Sequence, residues 1–219
     1  MVLKNRKELV RERLINAAIK VIGIKGFRKS TVPVIAKKAG IGTGTFYLYF
    51  RDKSHIFAEA IIYVSTRLRN YIDEVFQKKL ESFKGRITDP NNTGPILRSM
   101  CSAFFDYVDI YRNHFVILFI EGYSHKEEFA SILWETYRGF AEDMRIRLMT
   151  ASQLQIIRSL NREEAEIIAW AIIGALPQVA QFYITGTHDR KRIINVLVDF
   201  MLQGIKKETK EITKRRSKN

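Results

Sequence analysis

Cysteine is nearly absent: Cys101 is the only one in 219 residues, and four histidines accompany it. A lone thiol excludes an intramolecular disulfide, a cysteine-built zinc site and an iron–sulfur cluster. His55, His114, His125 and His188 are scattered, with no His-x-x-x-His pair. No glycine-rich phosphate loop and no Ser or Cys in an elbow context joins them. Cys101 reads as packing on an apolar helix face. Asp106 and Asp109, like Glu127 and Glu128, read as solvated carboxylates. The chain is therefore expected to hold no catalytic residue, no metal and no cofactor, and not to be an enzyme. Long apolar runs are missing too: the most apolar stretch, 167–176, meets Pro177 well short of the roughly 20 residues a bilayer requires. No apolar h-region or cleavage site follows the basic start, and no basic amphipathic helix with exposed aromatics stands out. A reducing cytoplasm and no membrane partner are the expectation.

What is present is an ordinary globular composition, 46% hydrophobic and 27% charged, with an uneven charge. The net charge is +14. Residues 1–60 hold 13 Lys and Arg against 4 Asp and Glu, residues 61–205 hold 17 of each, and residues 206–219 hold 7 against 2. A basic module on a neutral body is what a polyanion-binding end looks like, and a solubilising surface would look the same. Charge alone does not separate DNA from RNA or from an anionic membrane. The basic tail reads as the end of the last helix, with nucleic-acid contact as the alternative.

Nearly every segment repeats apolar residues at helical spacing, and none sustains the alternation of a strand. Val10, Leu14, Ala17, Ala18, Val21 and Ile22 predict a first helix that Gly23 weakens and Gly26 ends as its C′ residue. Ser30 or Thr31 offers an N-cap for a short helix to about Ala39, with Pro33 tolerated in its first turn. Gly40-Ile41-Gly42 is a break, a second short helix covers 43–49, and Lys53-Ser54 opens a long helix to about Phe83. Residues 84–95, rich in Gly, Asn and Pro, read as a loop. Helical patterns resume over 96–111, 114–122, 126–151, 162–185 and 189–207. The expected fold is all-α with about nine helices, a three-helix domain at 1–53 and a larger helical domain at 54–219.

Three short helices with a glycine turn between the second and third form a helix-turn-helix, whose last helix enters the major groove of DNA. Val34, Ile35, Ala36 and Ala39 would lock it to Ile41 and Phe46, and Gly40 would supply a positive φ at the turn. Thr43, Thr45, Tyr47 and Tyr49 would form the outer face. Gly42-Thr43-Gly44 would let the backbone approach phosphate or base edges. That face lacks Arg, Asn and Gln, so recognition through hydroxyls, thymine methyl contacts and DNA shape is expected.

The run TVPVIAKKAGIGTGTFYLYF at 31–50, followed by Arg51-Asp52-Lys53, resembles the tetracycline-repressor (TetR) family of bacterial transcriptional regulators. It matches the pattern T-x-x-x-I-A-x-x-A-G-[VI]-[SG]-x-G-[ST]-[FL]-Y-x-[HY]-F-x-x-K and departs from the commonest residues at Gly42 and Tyr49. The resemblance implies that Thr31 caps the support helix and bonds a phosphate. It implies that Thr43, Gly44, Thr45 and Tyr47 face the groove, and that Tyr49 and Lys53 hold the backbone. Arg28 and Lys29 would add flanking phosphate contacts, and Phe46 and Phe50 would be core.

For the body, the resemblance implies a homodimer built on the last two long helices, here through Ala171, Gly174, Ala175, Val179, Val196 and Phe200. Gly and Ala at this spacing permit close helix approach. It also implies a pocket among the middle helices, with Met100, Phe104, Tyr107, Phe115, Phe119, Trp134, Tyr137 and Trp170 as candidates, each otherwise plain core. Glu121 and Gln178 are its candidate polar groups, and Pro177 is expected to bend its helix. The function implied is a ligand-responsive repressor that binds a pseudo-palindromic operator as a dimer, with an apolar or amphipathic small molecule shifting the long helix after Ser54. A DNA-binding architectural or constitutive regulator without a ligand is the alternative.

Overall fold

Helix α1 (Arg6–Lys25) buries Leu14, Ala17, Ala18, Val21 and Ile22, the stripe its spacing predicts, in a computed structural model that describes residues 6–83 and 89–205. Of the expected loop at 84–95, residues 84–88 lie outside the described residues, as does the basic tail at 206–219; the remainder is corrected, because Pro90–Asn92 form a 3-10 turn and the next helix already starts at Thr93, with Pro95 in its first turn. Gly26 closes α1 with φ of +81°, its N–H donating to the Ile22 carbonyl at 2.8 Å. Gly23 does not weaken the helix in place but serves a neighbour. A Cβ there would lie 2.8–2.9 Å from the Asn113 side chain, so only glycine lets that segment approach.

Helices α2 (Val32–Lys38) and α3 (Thr43–Phe46) follow, then the 30-residue α4 (Lys53–Ser82), capped by the Asp52 carboxylate accepting from the His55 N–H at 2.7 Å. The body consists of α5 (Thr93–Ile110), a composite α6, α7 (Lys126–Gln153), α8 (Arg162–Thr185) and α9 (Arg190–Ile205). The α6 stretch joins Arg112–Phe115 and Gly122–Ser124 through a π-helical run, Val116–Glu121. Nine helices and no strand occur among the described residues, so the all-α expectation holds. One apolar core runs from α1–α3 through Ile56, Phe57, Ile61 and Val64 of α4 into the body. A smaller one joins Leu148, Ile157, Leu160, Ala165, Ala169 and Ile205 at the far end.

Helix α8 starts at a capping box: Asn161 accepts from the Glu164 N–H at 2.9 Å while Glu164 accepts from the Asn161 N–H at 2.8 Å. The helix continues through the buried Pro177. The sequence reading of apolar runs needs correction here. By length and composition α8 is long and apolar enough to cross a bilayer, with a mean hydropathy of 1.6 and only 22% of that window buried. The ten-residue run understated it because apolar residues continue past Pro177.

Below the α4–α5 contact, Tyr107 and His114 share a 2.7 Å hydrogen bond in a close-packed nest with Phe115. Burial, with the Arg67 guanidinium adding to it, pushes His114 down to about 4. The folded chain thus binds this proton more weakly than the unfolded chain. The stability His114 contributes is whole above about pH 6.5 and drains away as the pH falls toward about 4. Urea midpoints measured across that range should fall more steeply for the wild type than for His114→Gln. The excess should be about 1–2 kcal/mol after discounting partial exposure. Parallel curves would contradict the assignment.

Candidate functional site

The second and third helices are held by side chains that face inward. Val32, Ile35, Ala36 and Ala39 form the buried stripe of α2, while Val34 is 36% exposed. The expectation that Val34 locks the pair is therefore corrected: with Val32 as the first helical residue, the stripe falls on 32, 35, 36 and 39. Gly40 has φ of +64° as expected, and the Ile41 N–H donates to the Ala36 carbonyl at 3.0 Å. Phe46 is fully buried, with its ring 5.6 Å from Phe50. Arg13 donates to the Ala39 carbonyl at 2.7 Å, tying α1 to the end of α2.

Outside this core the fold presents a continuous polar and basic face. Arg28, Lys29, Thr31, Gly42, Thr43, Gly44, Thr45 and Tyr47 are exposed. The Tyr47 ring meets Phe46 edge-on at 5.4 Å. A Cβ on Gly44 would meet nothing within 4 Å, so its backbone is open to close approach. Sequence reasoning missed Pro33, Lys37, Lys38 and Leu48, which are exposed as well, Leu48 by 81%. All four fall off the buried stripe, which is the signal that would have found them.

Three expectations shift. α3 is one turn long and ends at Phe46, not Tyr49, and Tyr49 is half-buried against the core. Thr31 occupies the N-cap position of α2, but its side chain makes no capping hydrogen bond. Lys53 is half-buried; its Nζ donates to the Phe27 carbonyl at 2.8 Å and sits 4.3 Å from the Phe27 ring centroid.

Phe27 is also where the head meets the body. Its N–H donates to Glu121 Oε2 at 2.7 Å, and its ring packs against Phe57, His125 and Phe129. Glu121 is thus no cavity group. It ends the π-helical run and reaches back to the turn after α1, 3.4 Å from where a Gly26 Cβ would lie.

Two adjoining cavities open between α4, α5, α7 and α8. One of about 90 Å³ is lined by Leu68, Ile72, Met100, Phe104, Phe119, Met144, Ile172 and Pro177, with Arg69, Asp73, Asp143 and Arg147 at its edge. The other, about 340 Å³, lies toward Phe76, Leu80, Ile96, Ile146, Leu154 and Ile157, and shares Leu97, Met100, Met144 and Arg147 with the first. Met100, Phe104 and Phe119 line the first cavity. Tyr107 and Phe115 do not: they pack with no open volume beside them. Tyr137 and Gln178 border a separate cleft of about 140 Å³, with Gln178 itself exposed. Trp134 is 59% exposed and stacks on Trp170 at 5.2 Å, outside either cavity. The α4 wall was not foreseen, and on α7 Met144 and Arg147 line the cavities where Trp134 and Tyr137 were expected, because both helices carry alternating charge that hides a narrow apolar stripe.

On α8 and α9 the residues expected at a dimer contact are partly open. Ala171, Gly174, Val196 and Phe200 are exposed, Phe200 by 72%, while Ala175 and Val179 are half-buried. Ile167 and Phe182 extend the same apolar face, at 62% and 55% exposure.

Comparison with known proteins gives a concordant picture. Residues 14–60 match the bacterial regulatory proteins of the tetR family. The chain is 24% identical over 210 residues to the uncharacterized HTH-type transcriptional regulator YdgC of Bacillus subtilis (strain 168), covering 93% of this chain and 96% of that protein. It is 48% identical over 44 residues to a fatty acid metabolism regulator protein of the same organism, which spans 20% of this chain and 23% of that one. Its fold resembles the fatty acid degradation regulator FadR from Bacillus halodurans, with a TM-score of 0.71, 19% identity and coverage of 92% and 97%. It also resembles FadR from Bacillus subtilis in complex with stearoyl-CoA, with a TM-score of 0.69, 21% identity and coverage of 88% and 98%.

Replacing Glu121 with Ala removes the charged acceptor of the Phe27 N–H and should lower stability by about 1–3 kcal/mol. Urea unfolding checks this, and an unchanged midpoint would mean that the 2.7 Å contact contributes nothing.

Proposed function

This chain carries the helix-turn-helix of the tetR family of bacterial regulatory proteins, and from that premise we propose that it is a cytoplasmic, ligand-responsive repressor that binds a pseudo-palindromic operator as a homodimer. The observation that carries the reading is one α4 helix serving both ends, with Ile56 and Phe57 in the head's core and Leu68 and Ile72 in the cavity wall. The head, 1–53, presents Thr43, Gly44, Thr45 and Tyr47 to the groove. Arg28, Lys29 and Thr31 contact phosphates beside it, and Tyr49 and Lys53 approach the backbone from the flank. No exposed Arg, Asn or Gln lies on α3, so hydroxyls, methyl contacts and DNA shape do the reading.

The body, 54–219, dimerises through the exposed face of α8 and α9. Ile167, Phe182, Val196 and Phe200 are large apolar side chains left 55–72% exposed on these two helices, and clustered exposed apolar surface marks an interaction face. A second copy also accounts for the membrane-like composition of α8 without a bilayer. The effector is an apolar or amphipathic small molecule. The larger cavity, about 340 Å³ and walled mainly by hydrocarbon, fits that class. It favours this reading over a constitutive DNA-binding protein with no ligand. The stearoyl-CoA held by the Bacillus subtilis neighbour is an example of such a molecule. Regulation runs through the junction: Phe119 lines the cavity two residues before Glu121 in the π-helical run, and Glu121 holds Phe27. A ligand that pushes Phe119 strains that bond and turns α4. A coupling of about 1–3 kcal/mol would weaken operator binding roughly 5- to 150-fold.

Selection from random duplex DNA should return a two-fold symmetric site. Affinity for it should fall by about 10³ or more between 50 and 200 mM salt. Val196→Arg combined with Phe200→Arg should sediment as a monomer and lose at least about tenfold in operator affinity, through loss of the second half-site. A wild-type monomer, or recovery of unsymmetric fragments, would sink the reading.

A further inference from the structure

The first cavity has an ionic rim with a regular construction. Arg69 and Asp73 stand one turn apart on α4, and Asp143 and Arg147 stand one turn apart on α7. They pair reciprocally across the seam. Arg69 Nε and Nη2 each donate to Asp143 at 2.7 Å, and Arg147 pairs with Asp73. Every other residue lining that cavity is apolar or a buried thiol. The surroundings fit both guanidiniums. Arg147 lies 5.0 Å over the Phe76 ring, and Gly139 leaves room at Arg69, where a Cβ would come within 3.3 Å of Nη1. Arg147 also borders the larger cavity, so this guanidinium touches both.

Resting on the effector reading above, we infer that Arg69 and Arg147 form the head-group site of an anionic amphiphile, its apolar tail lying in the two cavities. The head group, a carboxylate or a phosphate, takes the guanidinium donors now used by Asp143 and Asp73. Both pairs are part-exposed, with side chains 21–49% accessible, so water and salt already weaken them and their exchange costs little. An incoming anion reproduces the charge-assisted forks that it displaces. It does so without being anchored to either helix, so the two bridges that tie α4 to α7 are released in the same event. A neutral molecule with the same tail also bears on Phe119, but it leaves both bridges intact, and they hold α4 to α7 against that push. Charge on the ligand thereby becomes the condition for movement of α4, the helix whose first turn holds Phe27 through Lys53.

The test uses the full-length chain with dodecanoate, dodecanoyl-CoA and dodecanol, each below its micellar concentration, with binding followed by calorimetry and operator release by fluorescence anisotropy. The anions should bind about tenfold or more tightly than the alcohol, and they alone should release DNA. The tighter of the two identifies carboxylate or phosphate as the head group. In Arg69→Gln/Arg147→Gln the ratio of anion to alcohol affinity should fall to near one. In Asp73→Asn/Asp143→Asn, where the guanidiniums lack competitors, anion affinity should rise several-fold, a gain that misfolding cannot mimic. Equal binding of all three by the wild type overturns the head-group site and leaves the apolar effector reading standing. No binding of any of them overturns both.

Discussion

The structure depends on α4 being one uninterrupted helix. At 30 residues it is about 45 Å long, and nothing in its sequence breaks it: no proline or glycine occurs between Lys53 and Ser82. Its first third is locked into the head through Ile56, Phe57 and Ala60, each wholly buried. Its middle forms the floor of the cavity through Leu68 and Ile72. A helix packed rigidly at one end and lining open space further along can only pivot or stay. On the proposed reading, whatever fills the space would act on the head through a lever, with no flexible linker needed to carry the signal.

That arrangement also explains why the junction is polar where a core of this size would otherwise be apolar. Lys53 gives its charge to the Phe27 carbonyl from one side while Glu121 accepts the Phe27 N–H from the other. The two peptide units that flank Phe27 are thus held by one side chain from α4 and one from α6. Directional bonds of this kind have two states, made or broken, whereas apolar packing yields gradually. A head that must be in register with the groove or out of it is better served by the former.

Much of this was legible in the sequence, and the illegible parts share a cause. The helix-turn-helix was readable because its constraints are local: Gly40 must be left-handed, and Phe46 must be inside. Arg162–Thr185 was readable to the residue, because Asn161 and Glu164 form a local cap. Residues whose role depends on a distant segment were misread. Glu121 looked like a polar cavity group because nothing nearby in sequence shows that Phe27 lies against it. Trp134 and Trp170 looked like cavity walls because bulk does not reveal which way a ring turns. Arg69, Asp73, Asp143 and Arg147 passed unnoticed because each pair, taken alone on its helix, is an ordinary i,i+4 surface pair.

The shortness of α3 gives the remaining constraint. A single turn, Thr43–Phe46, offers three exposed side-chain positions and one of them is Gly44. One glycine and two threonine hydroxyls supply neither the bidentate bonds nor the area on which high specificity ordinarily rests. Tyr47 and Leu48, exposed just past the helix, would on the proposed reading widen the contact with apolar surface suited to thymine methyls. The rest of the affinity must come from outside the turn, and two features supply it. The basic excess of residues 1–60 acts on phosphates without regard to sequence. On the proposed dimer, the exposed faces of α8 and α9 would double the number of turns that reach DNA at once. Two weak readers held at a fixed separation discriminate by spacing as well as by base. On that proposal the geometry of the body, far from the DNA, would set which operator is bound, and a ligand that alters that geometry would change specificity and affinity together.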